Sequence, residues 1–232
     1  MNIVQSGRMK AVASTILKDR FSWFLLPWII SGSSFVVNLI TAYFANGEIT
    51  TGGVASLYIY MFAAGIMSVS NTLPFLLGFS VRRSDYFWGT GGVIGLVGVI
   101  CAAGLSLLSY VESEWLDGWG VGLYFFHLPY VSEGSVAVQF LVYFLLIVFL
   151  FYLGFLIACV AKRFGKNGMF ILAIAVLAIG TVWSYVMTQQ GWWIDLGQWL
   201  ADRTMLEIAG GTAPLTLLYM ALSYALLRRT SV

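Results

Sequence analysis

Charge is what this chain of 232 residues has least of. Asp, Glu, Lys and Arg make up 9% of it, hydrophobic residues make up 60%, and the mean hydropathy is +0.89. A soluble domain carries roughly 25% charged residues to face water. The shortage excludes a water-borne globule of this size. It predicts an all-α integral membrane protein, a single transmembrane domain over 1–232. Histidine is nearly absent too: His127 is the only one, and Cys101 and Cys159 are the only cysteines. A haem protein or zinc hydrolase needs more nitrogen or sulfur ligands than that. No metal site and no catalytic group is expected, so the chain does not read as an enzyme. His127 reads as an interfacial polar residue. Both cysteines fall in apolar stretches and read as packing residues rather than a disulfide.

Two further absences bear on energy. No carboxylate sits in the middle of an apolar stretch, where carriers driven by protons or sodium usually place an ionisable group. A phosphate loop is missing as well. Gly165-Lys166 lacks a glycine five residues earlier (the residue is Val160) and a Ser or Thr afterwards (the residue is Asn167). Nothing calls for a nucleic-acid partner, and no cofactor is expected on this chain.

The few charges fall in clumps, and the gaps between them are long enough for one crossing each, at ~20 residues per bilayer. Six spans are predicted, near 22–45, 54–78, 87–110, 136–160, 169–187 and 212–227, the last with room to start earlier. The first apolar stretch is too long for a cleavable signal and has no small-residue cleavage pattern. With six spans, every basic residue except Arg203 falls on one side, at the N-terminus, at Arg82–Arg83, at Lys162, Arg163 and Lys166, and at Arg228–Arg229. Every acid except Asp19 and Asp85 falls on the other, including Glu48, Glu112, Glu114, Asp117 and Glu133. Basic loops stay in the cytoplasm. Both termini are therefore expected there, in the cytoplasmic membrane of a bacterial cell, as a multi-pass protein.

Between the spans, residues 1–20 form an amphipathic leader. Met9, Val12, Ala13, Ile16 and Leu17 share a helical stripe, and Arg8, Ser14, Thr15 and Lys18 lie off it. This reads as a helix in the membrane interface, or else as a disordered basic leader. Residues 188–211 are rich in tryptophan and read either as a short re-entrant helix or as an ordinary aromatic belt. In the third span Gly91, Gly95, Gly98, Ala102, Ser106 and Ser109 line one face. That stripe predicts close helix approach, within the chain or between subunits. Asn38, Asn71 and Gln139 are the main amide groups inside spans. They stand as possible substrate-path residues, against the commoner use in inter-helix hydrogen bonds.

The connection after the second span is short. Phe75-Leu76-Leu77-Gly78-Phe79-Ser80-Val81-Arg82-Arg83-Ser84-Asp85-Tyr86-Phe87 runs from one span directly into the next. Ser84 is expected to cap the following helix, with Asp85 favourable in its first turn. Residues 161–168 are expected to form a second short basic loop.

On this run the chain resembles the membrane subunit of a bacterial ATP-binding-cassette transporter of the ABC-two exporter class. The six-span layout, the leader and the aromatic segment agree with it. The resemblance implies a permease that exports a lipophilic or amphipathic compound or peptide. It implies a second permease subunit, identical or a paralogue, and a separate nucleotide-binding ATPase that carries ATP and Mg. It makes Ser80, Arg82, Arg83, Ser84 and Asp85 the coupling residues to that ATPase, with Lys162, Arg163 and Lys166 a secondary contact. The competing expectation is a membrane sensor or scaffold subunit that transports nothing.

Overall fold

The computed structural model describes residues 3–45, 47–128 and 134–228. Glu133 and Arg229, both used above to assign sides, lie outside the described residues. The described chain folds into α1 (Ile3–Leu17), α2 (Phe21–Phe44), α3 (Ala55–Gly78), α4 (Arg83–Trp115), α5 (Val136–Gln190), α6 (Trp192–Ala201) and α7 (Met205–Arg228). It is 86% helical, so the all-α class holds. Among the described residues the strands are one parallel pairing, Ile49 with Leu123 and Thr50 with Tyr124.

Five helices (α2, α3, α4, α5 and α7) are long and apolar enough to cross a membrane. They begin and end close to the uncharged gaps, for a plain reason: a helix cannot carry charge through hydrocarbon. The main differences are at α4, which runs from Arg83 to Trp115 rather than over 87–110, and at the last helix, which starts at Met205 rather than 212.

The largest difference lies at residues 161–168. The connection is tighter than the expected loop: within the 55 residues of α5 two helices meet across a kink at Gly165 alone (φ 66°, ψ −166°). Glycine reaches that region freely and residues with a Cβ essentially do not. The bend is tight, since a Cβ on Gly168 would lie 2.2 Å from the Phe164 Cβ. Each arm exceeds the ~20 residues of one crossing. Gly165→Ala is expected to cost about 2 kcal/mol and to straighten the bend, read as a loss of thermal stability together with a changed spin-label distance between residues 150 and 180.

The core lies between α3, α4 and α5. Leu57, Met61, Val97, Ile147, Phe151 and Phe155 are wholly buried there. In α4, 44% of the apolar window is buried, against 11% in α2 and in α7, so α4 is central and those two are peripheral. The small-residue stripe of α4 is expected to allow close helix approach; the tightest backbone approach lies between α3 and α5. A Cβ on Gly65 would sit 2.1 Å from the Phe151 carbonyl oxygen, and one on Gly154 2.1 Å from that of Phe62. The backbones of α3 and α5 touch at these reciprocal glycines. The α4 stripe receives side chains instead: the Tyr152 hydroxyl at Gly91 and the Phe144 ring at Gly98.

Three turns wind one residue wider than an α-helix, at Phe21–Leu25, Ser68–Thr72 and Val111–Trp115. Such turns loosen the carbonyl ladder, and the first two meet phenols. Tyr60 donates to the Ser22 carbonyl, and Tyr86 to the Ser68 carbonyl at 2.7 Å.

The third widened turn carries Glu112, which is 0% exposed. Its Oε1 accepts from the Phe125 N–H at 2.8 Å and the Trp119 indole at 2.6 Å; its Oε2 accepts from Phe126 at 2.7 Å and from the His127 N–H. Four donors thus hold a buried carboxylate in place of a cation. Ser109 Oγ lies 3.2 Å from His127 Nδ1, and Tyr143 donates to the Phe126 carbonyl at 3.2 Å. Nearby, Tyr124 donates to Asp117 at 3.0 Å, and that bond pushes its phenol above the ordinary value. This knot folds residues 117–128 onto the end of the bundle remote from α1.

Candidate functional site

The residues predicted to couple lie at the other end of the bundle, where α3 turns into α4. The turn is closed by a specific pattern. Val81 N–H donates to the Leu76 carbonyl and Ser80 N–H to the Leu77 carbonyl at 3.0 Å. Those two bonds, six-to-one and five-to-two, make a Schellman end with Ser80 at the left-handed position, φ 57°. Glycine normally occupies that position because a Cβ there costs roughly 1–2 kcal/mol. Ser80→Gly is therefore expected to raise stability by about 1 kcal/mol, visible as a higher unfolding temperature. The turn is rigid as well as short: α3 ends at Gly78, and α4 resumes at Arg83.

The predicted residues point in different directions. Ser80 and Arg82 are exposed, Arg82 in extended backbone (φ −69°, ψ 141°) as the residue preceding α4. Arg83 is half-buried and donates from Nη1 to the Leu227 carbonyl at 3.4 Å. It braces the α4 start to the last turn of α7, where free carbonyls favour a cation. Ser84 is half-buried and does not cap the helix, because α4 begins two residues too early for that and Arg82 holds the cap position. Asp85 keeps its place in the first turn and is 2% exposed.

The leader completes the site. The stripe Met9, Val12, Ala13, Ile16 and Leu17 is buried or half-buried, and Arg8, Ser14, Thr15 and Lys18 are exposed. Its apolar face rests on protein: Val12 and the Met9 carbonyl close over Gly89 of α4. Between α1 and the turn lies a cavity of about 460 Å³ lined by Arg8, Val12, Phe75, Phe79, Arg82 and Asp85, among others.

Lys162 and Lys166 are exposed on either side of the Gly165 break, and Arg163 is half-buried with its guanidinium 5.3 Å from the Phe164 ring centre. The three amides do not share a site. Asn38 donates to its own helix at Ser34 (2.8 Å) and lies against Gly53 near the Glu112 knot. Gln139 is buried in the first turn of α5, next after the knot loop. Asn71 lines a cleft of about 370 Å³ with Asp19, Trp23 and Phe75 near α1. Among the described residues no three His, Cys, Asp or Glu gather to hold a metal ion. Cys101 and Cys159 are buried and unpaired with each other. Residues 192–201 are helical, and of 192–200 all but Leu196 are exposed.

The sequence reading passed over two features of this region: the cavity, whose walls come from two segments about seventy residues apart, and the Glu112 knot. No protein-family model matches the chain, and neither does any curated protein or solved structure.

Proposed function

We propose that the chain is the permease subunit of an ATP-driven exporter of a lipophilic or amphipathic compound or peptide. It crosses the cytoplasmic membrane six times with both termini inside, the two arms of α5 counting as separate crossings joined at Gly165. A separate nucleotide-binding ATPase, carrying ATP and Mg, supplies the energy. A second permease subunit, identical or a paralogue, completes the path. The α1 leader and α6 lie in opposite interfaces.

One observation carries most of this reading: the α3–α4 turn. A connection that transmits the displacement of a partner has to be short and stiff. This one has a closed Schellman end, a single strained serine and an arginine brace to α7. Ser80 and Arg82 are exposed where a partner can reach them, Arg83 braces the turn to α7, and Ser84 and Asp85 begin α4 behind them. Lys162, Arg163 and Lys166 stand at the other turn on the same side.

Purification of the full chain from its native membrane is expected to bring down a phosphate-loop ATPase. Arg82→Ala in that complex is expected to lower transport-linked ATP hydrolysis by about tenfold, the worth of one charge-assisted contact. An unchanged rate removes Arg82 from the coupling role, and the absence of any ATPase removes the permease reading. The alternative, a non-transporting sensor or scaffold, draws on one fact: Asn38, Asn71 and Gln139 share no cavity within one chain.

A further inference from the structure

The cavity between α1 and the α3–α4 turn carries a charge pattern that coupling does not require. Asp85 lies on its wall at 2% exposure, and among the described residues no hydrogen bond or ion pair ties its carboxylate. A buried carboxylate of this kind is costly until a cation or hydrogen-bond donor reaches it. Arg8 of α1 and Arg82 of the turn line the same space. The ion pair found among the described residues joins Arg203, in the connection before α7, to Glu207 in the first turn of α7. Thr15 and Ser80 add two hydroxyl side chains, and the rest of the wall is apolar. Phe75 and Phe79, at 58% and 68% exposure, pack edge to face (5.1 Å) beside it. At about 460 Å³ the space falls in the range of small-molecule sites.

Its complement is a ligand with one anion for two guanidiniums, one donating cation for Asp85, and an apolar part for the two phenylalanines. We infer that the cavity holds the headgroup of a phosphoethanolamine lipid. The phosphate meets Arg8 and Arg82, the primary ammonium meets Asp85, and the acyl chains leave across Phe75 and Phe79. A phosphoglycerol headgroup supplies no cation for Asp85. A phosphocholine supplies one that cannot donate a hydrogen bond. Arg82 is shared with the coupling reading, but lipid binding needs no ATPase, and Asp85 and Arg8 test it apart from that reading.

Native mass spectrometry of the full-length protein, titrated with phosphatidylethanolamine, phosphatidylcholine, phosphatidylglycerol and soluble glycerophosphoethanolamine, is the test. Phosphatidylethanolamine is expected to bind about tenfold tighter than the other two lipids, the value of one charge-assisted hydrogen bond. Asp85→Asn is expected to erase that preference. Arg82→Gln is expected to weaken phosphatidylethanolamine and phosphatidylglycerol alike. If Asp85→Asn does not fold, Arg8→Gln, at an exposed position, replaces it and is expected to weaken both. Equal binding of the three lipids overturns the proposal. So does a preference that survives Asp85→Asn, or binding that Arg8→Gln leaves unchanged. If glycerophosphoethanolamine binds as tightly as the lipid, the ligand is soluble and the lipid assignment is wrong.

Discussion

Glu112→Ala is expected to destabilise the protein by about 4 kcal/mol, because it strips a buried carboxylate from donors that have no other partner. The backbone N–H groups of Phe125, Phe126 and His127 and the Trp119 indole all end on its two oxygens. A hydrogen bond to a charged group contributes about 1.5–3 kcal/mol, and a buried donor left bare costs about as much again. Part of that loss is recovered as the loop opens and water reaches the amides, so the full sum is not expected. In a chain of this length the drop corresponds to about 10 °C in unfolding temperature. Glu112→Gln keeps the shape but turns an NH2 group toward N–H donors, and about half the effect is expected. Tryptophan fluorescence on heating measures both, because Trp119 is in the knot. Limited proteolysis between residues 117 and 128 separates local opening from global loss. A change below ~1 kcal/mol for the alanine variant would mean that the knot follows the loop rather than organising it.

Gly65→Ala and Gly154→Ala are each expected to cost about 3 kcal/mol. In both, the new Cβ would stand 2.1 Å from a carbonyl oxygen of the facing helix. A side chain can rotate out of such a clash. A carbonyl in a helix cannot, so α3 and α5 have to move apart and lose contact along their length. Association of helices in lipid depends on that contact, since lipid tails are as apolar as the core. The double variant is expected to cost less than the sum, because helices parted by one Cβ already clear the other. Gly95→Ala is the control. It belongs to the glycine-rich stripe of α4, yet nothing lies within 4 Å of its would-be Cβ. It is expected to be neutral or slightly stabilising, alanine being the better helix former. Unfolding temperatures of the four variants side by side check the set.

These glycines mark where sequence reasoning stopped. Apolar gaps between charges located α2, α3, α4, α7 and each arm of α5, because burial in hydrocarbon constrains every residue of a span, but not how the two arms join. The leader's stripe was legible for the same reason, although its apolar face rests on α4 rather than on lipid. Which glycine meets which backbone depends on how three helices are rotated against one another. The repeat on α4 was periodic and conspicuous, whereas Gly65 and Gly154 are single residues in different spans. Glu112 was hidden differently. It read as one acid among several on an acidic side, and its partners are main-chain amides, which any residue carries. At residues 161–168 two glycines and three bases read as a loop, but the helical ladder needs only one residue out of register to bend, and Gly165 supplies it. Ser80 shows the reverse case. The serine of the Gly-x-Ser-x-Arg-Arg run was singled out, but its left-handed backbone was not, because glycine is the usual residue there.

Whether the α3–α4 turn and the α5 bend face one compartment decides the central claim, since a cytoplasmic ATPase can reach them only from inside. Cys101 and Cys159 are buried, so single cysteines placed at Arg82, Lys166 and Glu114 can be labelled selectively in intact cells and in inverted vesicles. The account predicts that a membrane-impermeant maleimide labels positions 82 and 166 only in inverted vesicles and position 114 only in intact cells. Labelling of 82 and 166 from opposite sides, or of 114 and 166 from the same side, would contradict it.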